Sequence, residues 1–148
     1  MLKNIHPLLS GELLCVLRAM GHGDELALVD ANFPAASTAR RVVRLDGANV
    51  IEAGEAILSV LPLDSFVEHS VFRMEVVGRA QEIPPVQEEF VALVTQSAGK
   101  PLSMGALERH TFYRRAATAF AVVATGETRQ YGDFILVKGV IGPDGTVV

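Results

Sequence analysis

Short apolar runs alternate with helical segments along nearly the whole chain, and this alternation constrains the fold more than any other feature. Leu26–Val29 is a continuous apolar run closed by Asp30, the pattern of a strand covered on both faces. Val42–Leu45 is a second short strand, and Val71–Val77 alternates through Phe72, Met74 and Val76. Between and around these lie helices. Ser10 caps one over Gly11–Ala19, with Leu13, Leu14 and Leu17 on one face and Gly21 as its end. Val50–Leu61 has helical spacing and stops at Pro62. Pro84-Pro85 opens a third helix running to about Ser97, with Phe90, Leu93 and Val94 facing inward. Leu107–His110 reads as a brief strand or strand end and Phe112–Ala117 as a short helix. Ala119–Ala124 and Phe134–Lys138 are the last two strands. The order α-β-β-α-β-α-β-α-β-β predicts one three-layer α/β/α domain over residues 1–148, built on a mostly parallel sheet.

Composition narrows the function classes. The net charge is −4 with no long basic run, which speaks against a nucleic-acid partner. No apolar run approaches the roughly 20 residues of a membrane span, and the first residues do not form a signal peptide. The single cysteine, Cys15, excludes an internal disulfide and suits a reducing, cytoplasmic setting; its apolar helical context predicts a buried thiol. The mean hydropathy of +0.32 fits apolar surface buried between subunits, and equally a parallel sheet covered on both sides.

Four segments carry chemistry. In Gly21-His22-Gly23 the small neighbours allow a ligand close to an imidazole, which titrates near neutral pH and suits proton transfer. The alternative is a plain loop histidine between two turn glycines. Asp30 follows a buried strand, at the edge where open α/β sheets bind ligands, or else it caps the next turn. Arg109 offers several donors and Tyr113 one hydroxyl, against the alternative of a solvated cation and a packed ring. Tyr131 and Asp133, two apart, project to one side of an extended segment and suit a polyol, or they belong to a polar loop with two glycine turns. His6, His22, His69 and His110 lack metal-ligand spacing, and there is no phosphate loop, dinucleotide fingerprint or nucleophile elbow. Neither metal nor cofactor is expected; the remaining chemistry is proton transfer by ordinary side chains, or none. Gly142–Val148 is either a loose end or a final hairpin strand.

In joint order and spacing these segments resemble the ribose and fucose mutarotases, the RbsD/FucU family. The resemblance runs through Met1-Leu2-Lys3, Pro7–Ser10, Leu13-Leu14, Ala19–Glu25 and Asp30–Ala35, resuming at Leu63-Asp64-Ser65-Phe66 and Phe112–Ala116. It closes with Thr125-Gly126-Glu127, Tyr131-Gly132-Asp133 and Leu136–Val140. It implies an RbsD-like fold, and interconversion of the α and β anomers of L-fucose or a related monosaccharide by acid/base ring opening and closure. His22 is then the catalytic histidine, with Asp30 orienting that imidazole or binding a sugar hydroxyl. Arg109 and Tyr131 hold the sugar, and Tyr113 and Asp133 are further contacts. Arg109 points to the fucose branch, where the ribose branch has histidine, although His110 follows directly. Asp133 departs from the family's usual asparagine; an ionised aspartate only accepts, which leaves open another sugar such as ribose. The resemblance also implies a ring-like homo-oligomer, a decamer in size, with sites at subunit contacts where Tyr131 serves a neighbour's His22. The rival class is a sugar-binding module without turnover.

Overall fold

The computed structural model describes residues 1–148. Its elements, in order, are α1 (Gly11–Ala19), β1 (Glu25–Val29), α2 (Ala35–Thr38), β2 (Val42–Leu45), α3 (Val50–Leu58) and β3 (Val71–Met74). There follow α4 (Pro85–Ala98), β4 (Gly105–Leu107), α5 (Arg109–Thr118), β5 (Ala121–Thr125) and β6 (Phe134–Val137). The six strands form one sheet in the order β2-β5-β1-β6-β3-β4. β1 runs parallel to β5, β5 to β2, and β3 to β4, while β6 lies antiparallel to both β1 and β3. β6 alone is reversed, so the expected mostly parallel sheet is present.

The two faces of the sheet carry separate cores, because successive strand residues point to opposite sides. Leu26 and Leu28 of β1 face a core built with Leu13, Leu17, Ile57, Phe90 and Val94, from α1, α3 and α4. Ala27 and Val29 face a smaller core with Phe33, Phe112 and Ala116, under α2 and α5. The Phe90 and Phe134 rings stack at 3.8 Å, which pins α4 to the start of β6. Gly54 lets α4 approach α3, since a Cβ there would clash with the Phe90 ring.

Several boundaries differ from the sequence reading, each for a physical reason. β3 ends at Met74 rather than Val77, because its neighbour β6 begins at Phe134, opposite Arg73. α5 begins at Arg109, so Leu107–His110 is only partly strand; Glu108 is the N-cap and accepts from the amides of His110 and Thr111 at 2.9 and 3.1 Å. Ala119 closes α5, which delays β5 to Ala121. The one-turn α2 starts directly after Pro34, where the segment Asn32-Phe33-Pro34-Ala35 interrupts the apolar pattern. Cys15 is exposed, not buried: it lies two residues from both Leu13 and Leu17 and so turns away from the face they bury. The tail folds back as a hairpin, with Val148 N–H donating to Val140 at 3.0 Å and Ile141 bridging Val147.

Candidate functional site

The predicted site residues fall into two groups at opposite edges of the sheet. At the amino edge stands His22, on the α1–β1 connection. Lys138 holds that connection by donating to the carbonyls of Leu17 and Met20, at 3.1 and 2.5 Å, in the last turn of α1. Gly23 adopts φ +80, which favours glycine, and donates its N–H to Lys138 O at 2.8 Å. His22 Nε2 lies 3.2 Å from Asp64 Oδ2, and the imidazole is half exposed while the Asp64 side chain is 3% exposed. A carboxylate only accepts, so Nε2 carries the hydrogen and Nδ1 keeps a free lone pair. Asp64 is itself fixed: Oδ1 accepts the Phe66 N–H at 3.0 Å, and its own N–H donates to Val137 O at 3.0 Å. The Phe66 ring stands edge-on to the imidazole at 5.7 Å.

The other group lies at the carboxyl edge. Asp30 ends β1 there, and Asp133 precedes β6 on the neighbouring strand. Asp133 Oδ1 accepts the Asp30 N–H at 3.1 Å, which sets the two buried acids side by side on neighbouring strands. Asp30 Oδ1 accepts from the amides of Asn32 and Phe33 at 2.9 and 3.0 Å. Burial raises the Asp30 carboxyl above the usual range, against the lowering effect of those two amides. Burial, followed by the Asp30 charge, raises Asp133 well above it. Tyr113 and Arg109 share the cluster side of α5, four residues apart. The Tyr113 phenol is raised by burial first and then by the Asp133 charge, with Arg109 opposing. Tyr131 has φ +64, an uncommon conformation for a non-glycine residue, and its hydroxyl accepts the Val77 N–H at 3.3 Å.

Thus Asp30, Arg109, Tyr113, Tyr131 and Asp133 come together, and His22 does not join them within the chain. β1 alone separates the two edges by about 16 Å. The expectation that Asp30 orients the imidazole of its own chain is therefore corrected: the carboxylate on His22 is Asp64. Two supporting residues had no role in the sequence reading. Gln87 is fully buried and donates Nε2–H to Met74 O and Tyr131 O at 2.8 and 3.0 Å, which holds Tyr131 in its unusual backbone. Glu127 accepts from the Arg129 guanidinium at 2.9 Å, which lowers its carboxyl to about 2. Asp64 lies within Leu63-Asp64-Ser65-Phe66, one of the segments that carry the family resemblance, but nothing local ties it to His22. No three His, Cys, Asp or Glu side chains converge as a metal site requires.

The fold and these two clusters define a class: a three-layer α/β protein with a cluster of acidic, phenolic and guanidinium groups at the carboxyl edge and an imidazole–carboxylate dyad at the other. The chain belongs to the RbsD / FucU transport protein family, whose model matches residues 3–141. The L-fucose mutarotase of Actinobacillus pleuropneumoniae serotype 5b is 45% identical over 140 residues, covering 95% of this chain and 97% of that one. The human fucose mutarotase is 45% identical over 146 residues, covering 95% and 94%. The crystal structure of the Streptococcus pneumoniae fucose mutarotase with L-fucose superposes with a TM-score of 0.89 at 41% identity, covering 95% of this chain and all of that one.

Proposed function

We propose that this protein is an L-fucose mutarotase, an isomerase of a free monosaccharide, and that its site is completed between two copies of the chain. The identity to mutarotases over nearly full length supports the reaction and the sugar. The observation that carries the rest is the separation of His22 from the Asp30–Tyr131 cluster across the sheet. Each edge holds half of what ring opening needs, and a head-to-tail contact would unite them. Exposed apolar side chains flank both halves: Phe66 and Val67 near His22, Val77 beside Tyr131. A head-to-tail contact of this kind forms a ring when its rotation closes on itself.

In the mechanism, Nδ1 of His22 takes the proton of the anomeric hydroxyl while Asp64 holds Nε2–H; the ring C–O bond breaks, the ring oxygen takes a proton from water, and ring closure runs the same transfers in reverse. Asp30 of the neighbouring copy accepts a sugar hydroxyl, with Arg109 and Tyr131 fixing the ring and Tyr113 and Asp133 behind them. The aldehyde rotates about one bond and closes on its other face, so no net proton is gained or lost. Acid/base assistance of this kind supplies roughly 10²–10⁴-fold, enough for a reaction that already proceeds in water. Residues 1–148 act as one domain, and a reducing cytoplasm is the compartment that one unpaired cysteine suits. In the structure, no helix is long and apolar enough to cross a membrane.

Saturation transfer between the anomeric proton signals of L-fucose tests the reading, with D-ribose, L-rhamnose and D-galactose beside it. Exchange that rises with protein on L-fucose is expected. Exchange confined to another sugar moves the substrate, and none on any sugar from folded protein leaves a binding module.

A further inference from the structure

Two buried carboxyl groups meet at the carboxyl edge with no cation bonded to either. Asp30 is 5% exposed and Asp133 1%, and neither takes part in any of the chain's ion pairs. The groups facing them are Tyr131 from the β5–β6 connection, and Tyr113 and Arg109 from α5. Arg109 is the one cation among these; it is exposed and bonds to neither acid. Glu127, the other acid of the connection, is taken up by Arg129.

Two acids this deeply buried, joined through the Asp30 N–H, cannot both be charged, since each opposes the other's ionisation. The donors around them are unequal. Asp30 Oδ1 receives two amides, from Asn32 and Phe33, whereas Asp133 receives the single Asp30 N–H. The anion therefore belongs on Asp30 and the proton on Asp133.

We propose that Asp30 and Asp133 hold one proton between them at neutral pH, and that neutral Asp133, beside the Asp30 carboxylate, is a positioning residue for sugar binding. It leaves Asp30 as one oriented acceptor for a sugar hydroxyl. An ionised Asp133 would only accept and would repel Asp30; the neutral group both accepts the Asp30 N–H and donates. The direction in which burial moves both carboxyls agrees. The functional half of this inference rests on the sugar site proposed above; the protonation half does not.

The test has two arms. In protein labelled at the aspartate side-chain carboxyl carbons, ¹³C NMR at pH 7 should show one neutral aspartic acid per chain, absent from Asp133→Asn. Two ionised carboxylates at pH 7 overturn the proposal. Should Asp133→Asn fail to fold, the wild-type spectrum alone decides. The second arm is KM for L-fucose against pH. For the wild type it should climb above the pair's second ionisation by up to about tenfold per pH unit. Asp133→Asn should lack that climb, and the same climb in the variant removes the positioning role. A protein that turns over no sugar sinks the mutarotase reading yet leaves the NMR arm to decide the proton.

Discussion

His22 Nε2 and Asp64 Oδ2 lie 3.2 Å apart, joined across 42 residues of sequence at the amino edge of the sheet. The contact fixes which imidazole nitrogen is free. Asp64→Asn keeps the shape but removes the charged acceptor, so the ring can turn and take the wrong tautomer. Its kcat on L-fucose should fall about 10–100-fold with little change in KM, a smaller loss than removal of the imidazole itself. The ¹⁵N shifts of His22 should move away from the Nε2–H form. Unchanged kcat in a folded Asp64→Asn protein would leave Asp64 a purely structural acid.

The loop that carries Asp133 is anchored by Glu127, whose carboxyl the Arg129 guanidinium lowers to about 2 from an ordinary 4.5. A depressed folded value means that the unfolded chain takes up this proton first as pH falls. The stabilisation is therefore complete above about pH 4.5 and is lost on descent towards pH 2. Arg129 is 40% exposed, so solvent screening reduces the effect to something on the order of 2 kcal/mol. Glu127→Gln should lower Tm at pH 7, and its deficit against the wild type should shrink between pH 5 and 2. A deficit independent of pH would show that the ion pair contributes nothing.

Gln87 supports the opposite side of the same loop. The buried Gln87 makes three bonds, to Met74 O and the Arg73 guanidinium away from solvent and to Tyr131 O where the partner is half-buried. Gln87→Leu keeps the volume and orphans those partners, at about 1–3 kcal/mol for each that stays buried and unpaired. Tyr131 loses the bond that holds it at φ +64, so KM should rise more than kcat falls. Denaturant unfolding and the steady-state constants together check this. Loss of stability with unchanged KM would separate Gln87 from the site.

The sequence was informative where its signals were local. Apolar runs and their punctuation placed every strand but β4, and the helices α1, α3 and α4, and Gly21-His22-Gly23 and Asp30 stood out at the ends of one strand. Signals that depend on distant partners were not visible. Asp64 becomes a partner of His22 only because its N–H pairs with β6 at Val137. Asp133 becomes a partner of Asp30 only because β6 lies beside β1, 103 residues on. The start of α5 was misplaced because glutamate is an unusual N-cap, yet that start is what puts Arg109 and Tyr113 on one helix face. The alternation that revealed β1 also concealed that its two ends cannot meet within one chain.

That separation yields the most direct test of how the site is assembled. If His22 of one copy serves Asp30 of the next, His22→Ala and Asp30→Asn chains each lack one half of every site. Each homo-oligomer should then be nearly inactive. Mixed one to one and reassembled, they should form sites with both halves intact wherever an Asp30→Asn chain presents its His22 to a His22→Ala neighbour. Random assortment makes that about a quarter of all contacts, so roughly a quarter of wild-type exchange should return. Exchange is read by saturation transfer on L-fucose, and mixing without reassembly serves as the control. A site contained in one chain would recover nothing on mixing, because every chain carries one defect.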